Sequence, residues 1–158
     1  MILHAGLVAR RIAGIWQGVL IEGPSGSGKS DLALRATRAG LRLVADDRVV
    51  AFAAGGRVFG RAPDTLAGLG EIRELGVIAI PHLPLARIAA RVLCVADPAA
   101  VERCPEPASA PLLGIAIPSA AVWPFDPAAP DKLVALLEQL GGRSQQGYQA
   151  RLAPFGGR

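Results

Sequence analysis

Eight consecutive residues, Gly23-Pro24-Ser25-Gly26-Ser27-Gly28-Lys29-Ser30, carry the spacing G-x-x-x-x-G-K-S. The apolar run Gly18-Val19-Leu20-Ile21 precedes them, and Asp31-Leu32-Ala33-Leu34-Arg35-Ala36 follows with a helical composition. A strand, a glycine-rich turn and a helix start in that order predict a phosphate-binding loop. Gly23, Gly26 and Gly28 reach backbone angles closed to other residues, so successive N–H groups can converge on an anion where the helix dipole also favours negative charge. Lys29 would reach the outer phosphates of a nucleoside triphosphate such as ATP, and the Ser30 hydroxyl would ligate Mg2+. A turn that binds nothing has no need of the G-K-S ending.

A second group of residues lies close behind. Leu43-Val44-Ala45-Asp46-Asp47 reads as a strand ending in two acids. Adjacent residues on a strand point to opposite sides, so one carboxylate can sit near Mg2+ while the other faces an incoming hydroxyl. The competing reading of the pair is a solvated turn before Arg48. Glu71 and Arg73 alone could be no more than a surface ion pair, His4 a surface histidine, and Arg103 a solvated arginine among prolines.

These residues need a scaffold. Residues 1 to 16 predict a short strand and a connection broken at Arg10-Arg11, and Val19 to Glu22 the strand entering the loop. Lys29 to Ala39 predicts a helix capped by Gly40, and Leu41 to Ala45 the next strand. Gly55-Gly56 marks a hairpin turn between Val49–Phe52 and Arg57–Phe59, which makes a purely parallel sheet doubtful. Pro63 to Gly70 reads as a loop, and Gly76–Ile80 and Ala89–Ala96 as strands that can be buried. Pro98 to Pro111 holds four prolines and reads as irregular, followed by a short strand from Leu112 to Ile117. Asp131 to Leu140 has helical spacing, with a stop at Gly141-Gly142. The fold class is α/β: a mixed sheet with helices, one domain over residues 1–140, and a flexible tail over 141–158.

Composition narrows the function. Half of the 158 residues are apolar but only 4% are aromatic, so the core is built from Ala, Val, Leu and Ile. The uncharged stretch from Pro107 to Phe125 is interrupted by Pro111, Pro118 and Pro124, which argues against a membrane helix. The N-terminus does not read as a secretory signal, which suggests a cytoplasmic protein. Cys94 and Cys104 lack metal-finger spacing and are expected as reduced thiols. The net charge of +4 is carried by scattered arginines, which suit an anionic nucleotide or an acidic protein better than nucleic acid.

Taken together, the loop, the Asp46-Asp47 pair and Glu71-Ile72-Arg73-Glu74-Leu75-Gly76-Val77-Ile78 resemble the catalytic domain of bacterial HPr kinase/phosphorylase. That family shows E-[IV]-R-G-L-G-[IV]-[IL] after its paired aspartates, and Glu74 stands here in place of a glycine. The resemblance runs over roughly residues 3 to 125. It implies a fold similar to the nucleotide domain of phosphoenolpyruvate carboxykinase, with ATP and Mg2+ as cofactors. The implied partner is HPr, the small phosphocarrier of the sugar phosphotransferase system. It also implies a homo-oligomer, commonly a hexamer, and the chain resembles the family's short forms, which consist of the kinase domain alone without the longer members' N-terminal domain.

Residue by residue, the resemblance assigns His4 a catalytic role, Glu71 a share of Mg2+ binding beside Ser30 and Asp46, Arg73 a place in the same nucleotide-binding loop, and Arg103 the offset of phosphate charge. The segment between His4 and Lys29 is longer than usual, with the insertion placed around Arg10 to Trp16. Asp47 is expected as the base and Asp46 near the metal, with the reverse order left open. Longer members carry P-V-x-P-G-R-N, tied to phosphorolysis. Ile117 to Phe125 here has no such arginine, so phosphorylase activity is in question. Two other functions remain open at this point: a P-loop kinase for a small metabolite, and a nucleotide-binding regulator without catalysis.

Overall fold

The computed structural model describes residues 1–142. Eleven strands and two helices follow in the order β1 (Ile2–Leu3), β2 (Gly6–Ile12), β3 (Ile15–Glu22), α1 (Lys29–Arg38), β4 (Arg42–Ala45), β5 (Val49–Ala54), β6 (Arg57–Arg61), β7 (Leu69–Ile72), β8 (Gly76–Ala79), β9 (Ala86–Cys94), β10 (Ala108–Leu112), β11 (Ile115–Val122) and α2 (Ala129–Gly142). All but β7 and β8 join one mixed sheet, in which β1-β5-β6-β9-β3-β2-β4 is the main path.

The strand that organises this sheet is β9. Along one edge it pairs in parallel with β3. Its other edge is divided: antiparallel β6 takes the first residues, at Ala86 and Arg87, and parallel β11 takes the last, from Arg91 to Cys94. The sheet therefore curls, and its two faces bury separate cores. Alternation assigns the residues: Val8, Val19 and Ile21 face the helix side with Leu32, Ala36, Leu133 and Leu137. Leu7, Ala9 and Leu20 face the other side with Val49, Val58 and Ile88. Leu7 shows how closely the strands pack. A Cβ at Gly18 or Gly60 would lie 2.9 or 2.6 Å from its methyl carbons, so both neighbours must be glycine.

Several sequence expectations are met. Gly40 closes α1 with φ +96°, and Gly55-Gly56 turn the β5–β6 hairpin with φ of 56° and 70°. Others are corrected. Arg10-Arg11 do not break the first strand: β2 runs on to Ile12 and turns through Ala13-Gly14 into β3. The arginines fit a strand because their side chains leave the sheet, and Arg10 pairs with Glu138 of α2 at 2.9 Å. Residues 112–117 are not one strand but the two sides of the β10–β11 hairpin. Ala108–Pro111, expected as irregular, pairs there as an edge strand, where Pro111 is tolerated. Helix α2 begins at Ala129 and does not stop at Gly141. A Cβ there would meet Ile12 Cγ2 at 2.5 Å, so this glycine lets the helix approach the β2–β3 hairpin. Of the tail expected over 141–158, residues 143–158 lie outside the described residues.

Strand β8 is exposed throughout, not buried, because it pairs only with β7 in a hairpin separate from the main sheet. At its turn Glu74 holds φ +70°. A left-handed conformation costs a residue with a Cβ about 1–2 kcal/mol. The glycine usual at this place in the family would avoid that cost. Glu74→Gly is expected to stabilise the protein by about 0.5–1 kcal/mol after its own entropy cost. For a chain of this size that is a rise in Tm of roughly 1–4 °C. An unchanged or lower melting temperature by calorimetry would show that the turn is not strained.

Candidate active site

The loop between β3 and α1 has the shape the glycines foretell. Gly23, Gly26 and Gly28 take φ of 150°, 76° and 94°, and Ser27 N–H donates to the Pro24 carbonyl at 3.2 Å. The first intrahelical bond is Leu32 N–H to Gly28 O, so the N–H groups of Gly28, Lys29 and Ser30 have no acceptor among the described residues. Lys29 is 7% exposed, and its ammonium folds back on the Gly23 and Pro24 carbonyls at 2.9 and 2.7 Å. Ser27 Oγ is buried without a partner. Unpaired donors, a lysine inside the turn and an orphaned hydroxyl fit a polyphosphate anion.

The acids stand at the end of β4, one strand beyond β2. Asp46 is 7% exposed and turned inward. Its Oδ1 accepts from Ser30 Oγ at 2.8 Å and from Asp47 N–H at 3.1 Å, and its Oδ2 accepts from Glu71 N–H at 3.1 Å. Asp47 points the opposite way. It sits at φ +64°, pinned by Ala5 N–H on its carbonyl, and its half-exposed carboxylate meets His4 Nε2 at 2.8 Å and Arg48 Nε at 3.4 Å. The two acids are thus separated into a buried one on the loop serine and an accessible one on a histidine.

Not every expected residue joins them. Glu71 reaches Asp46 through its main chain, and its own side chain is exposed. Among the described residues no three of His, Cys, Asp and Glu gather as a metal site. Arg73 is exposed at the β7–β8 turn, and Arg103 is exposed between β9 and β10. Neither makes a hydrogen bond or ion pair with a described residue.

The sequence reading missed two supports of the loop. Glu22, the last residue before it, forms a two-point ion pair with Arg91 of β9 at 2.7 and 2.9 Å, and Arg91 also donates to the Pro111 carbonyl at 3.0 Å. A charged residue within the apolar run of β9 was the available signal. On the other side, Arg35 of α1 bonds the Pro124 and Asp126 carbonyls and Asp31. This holds Phe125 over the loop, where a Cβ on Gly28 would lie 2.9 Å from its ring. Cys94 lies beneath Gly23. Burial pushes its thiol up to about 11, with Lys29 pulling the other way, so it offers no thiolate at neutral pH.

This geometry can be set beside known proteins. The model of the HPr serine kinase C-terminal domain family matches residues 2–84, which carry His4, the loop, both aspartates and the β7–β8 hairpin. The chain belongs to this family. The HPr kinase/phosphorylase of Limosilactobacillus reuteri is 48% identical over 82 residues, 51% of this chain and 24% of the relative. That of Clostridium tetani is 46% identical over 66 residues, 42% of this chain and 22% of the relative. The chain thus spans about a quarter of the length of the curated relatives it matches. The solved Hpr(Ser) kinase/phosphatase from Coxiella burnetii is similar in fold, with a TM-score of 0.74 at 21% identity, covering 96% of both chains. Arg103 lies outside the residues matched by the family model. No described helix is long and apolar enough to cross a membrane.

Proposed function

We propose that this chain is a serine kinase that transfers the terminal phosphoryl group of ATP to HPr, the phosphocarrier of the sugar phosphotransferase system. The observation that carries the reading is the division of the two acids, which lie side by side in the bend after β4 with different partners: Asp46 on Ser30 at 2.8 Å and Asp47 on His4 at 2.8 Å. The loop N–H groups cradle the phosphates, and Lys29 leaves its carbonyls to neutralise the transferred group. Ser30 and Asp46, with Glu71 close by, would hold Mg2+, which offsets phosphate charge. Asp47 accepts the proton of the attacking serine hydroxyl as its oxygen bonds phosphorus and the bond to the leaving ADP oxygen breaks. His4 orients the Asp47 carboxylate by hydrogen bonding. Arg73 and Arg103, both exposed, would offset charge only once substrates draw them in.

The fold's likeness to the nucleotide domain of phosphoenolpyruvate carboxykinase, a cytoplasmic location and assembly into a homo-oligomer, a hexamer in the family's usual form, belong to the same reading. The test is transfer of labelled phosphate from ATP to HPr, run against nucleosides and sugars as acceptors. Labelled HPr supports the reading. A labelled small metabolite would replace it with a metabolite kinase, and binding without transfer would replace it with a regulator.

The reverse reaction is expected to be weak. Using inorganic phosphate as nucleophile needs a second anion site, which wants an arginine or a helix N-terminus. Residues 117–125 contain neither, being mostly strand β11. Serine-phosphorylated HPr incubated with Mg2+ and phosphate, without ADP, should release pyrophosphate far more slowly than the forward reaction consumes ATP. Rapid release would show that another arginine serves the second anion.

A further inference from the structure

The catalytic acids occupy one side of the phosphate loop, toward β2 and β4. The opposite side, toward β9, holds an open groove of about 500 Å3 to which that chemistry assigns nothing. One wall is the loop itself, Pro24–Ser27, and the other is the end of β9 with its exit, Leu93–Ala96. Leu93 is 52% exposed here, large and apolar beside the charged Glu22 with which it is paired in register. Strands β3, β9 and β11 are parallel, and all three end at this rim. In such sheets ligands lie outside the carboxyl ends of the strands.

The geometry points to this groove as the seat of the base and ribose of the nucleotide, with Leu93 a specificity-determining wall. The inference rests on the nucleotide reading above and extends it. The occupant follows from continuity, because the wall formed by Pro24–Ser27 is the cradle of the phosphates, and whatever is esterified to those phosphates leaves the cradle along it.

The lining then determines what is recognised. Apart from the Ser25 and Ser27 hydroxyls and the buried Cys94 thiol, every side chain in it is apolar or absent, and none is charged. Ser27 Oγ is buried against Gly23 and does not face a base. A pocket that hydrogen-bonds its ligand's edge rejects an analogue by roughly 10^4-fold or more, whereas one that offers only shape and apolar contact discriminates by about 10–200-fold. The groove therefore accepts adenine and guanine nucleotides with similar strength.

The test measures binding of ADP, GDP and inorganic tripolyphosphate to the full chain with Mg2+ by calorimetry, for the unaltered protein, Leu93→Ser and Lys29→Ala. ADP and GDP are expected to differ by less than about 200-fold. Leu93→Ser is expected to weaken both about fivefold, as loss of a partly buried leucine contact should, while leaving tripolyphosphate unchanged. A difference above about 200-fold, or nucleotide affinities indifferent to Leu93→Ser, overturns the groove assignment while tripolyphosphate binding that needs Lys29 keeps the loop assignment intact. Failure of all three ligands to bind, or binding indifferent to Lys29→Ala, overturns the nucleotide reading itself and the groove with it. Leu93 is half exposed, so its variant is expected to fold, and a melting curve checks this.

Discussion

Lys29→Ala is expected to abolish phosphoryl transfer and leave the fold in place. The ammonium is the charge best placed to meet the outer phosphates, and it is stored on two loop carbonyls of a turn that water can reach. Removing a preorganised donor of this kind costs about 2.7–4 kcal/mol in the transition state, or roughly 10^2–10^3 in turnover. The carbonyls of Gly23 and Pro24 can take water in its place, so melting should shift little. The measurement is kcat at saturating ATP together with a melting curve. Near-normal turnover in a folded variant would remove the loop from the mechanism.

The second large effect separates the two acids. Asp47→Asn keeps the side-chain shape and the left-handed backbone, which asparagine adopts readily, and it keeps a partner for His4. What it loses is proton affinity. Nucleotide binding should persist while kcat falls about 10^2–10^4-fold. Ser30→Ala removes the hydroxyl held by Asp46 and should chiefly raise the Mg2+ concentration needed for half-maximal rate. Mg2+ titrations of the two variants side by side make the comparison, and an equal rise in Mg2+ requirement would leave Asp47 no separate role.

Features whose causes are local could be read in the sequence. The loop is one, because its glycines and G-K-S ending sit between a strand and a helix. The β5–β6 hairpin is another, since Gly55-Gly56 supply the positive φ that its turn needs. That Asp46 and Asp47 would part was expected from strand alternation, but β4 ends at Ala45 and both acids lie in the bend after it, so the left-handed backbone of Asp47 is what turns its carboxylate to other partners. Features that depend on distant partners were not legible. Gly141 looks like a helix stop and is a contact surface for Ile12, a residue far away in the chain. The apolar residues of β8 read as buried, yet the strand pairs only with β7 and stands off the main sheet. Arg91 was visible as a charge in an apolar strand, but only the fold brings Glu22 within reach of it, on the neighbouring strand and two residues along.

The divided edge of β9 also bears on where a piece of this protein could be cut. The family's recognisable stretch ends at residue 84, and β9 begins at Ala86. A polypeptide stopped at that border would keep His4, the glycine loop and both aspartates but lose the central strand. The edge of β3 would then carry a row of open hydrogen-bonding groups, and Val19, Leu20 and Ile21 would lose the cover of Ile88, Ala90 and Val92. Such an edge invites pairing with other chains. What is shared most strongly with relatives and what can fold alone are therefore different lengths of chain. The less recognisable second half, through Arg91 and the rim at Leu93–Ala96, keeps the phosphate loop in shape.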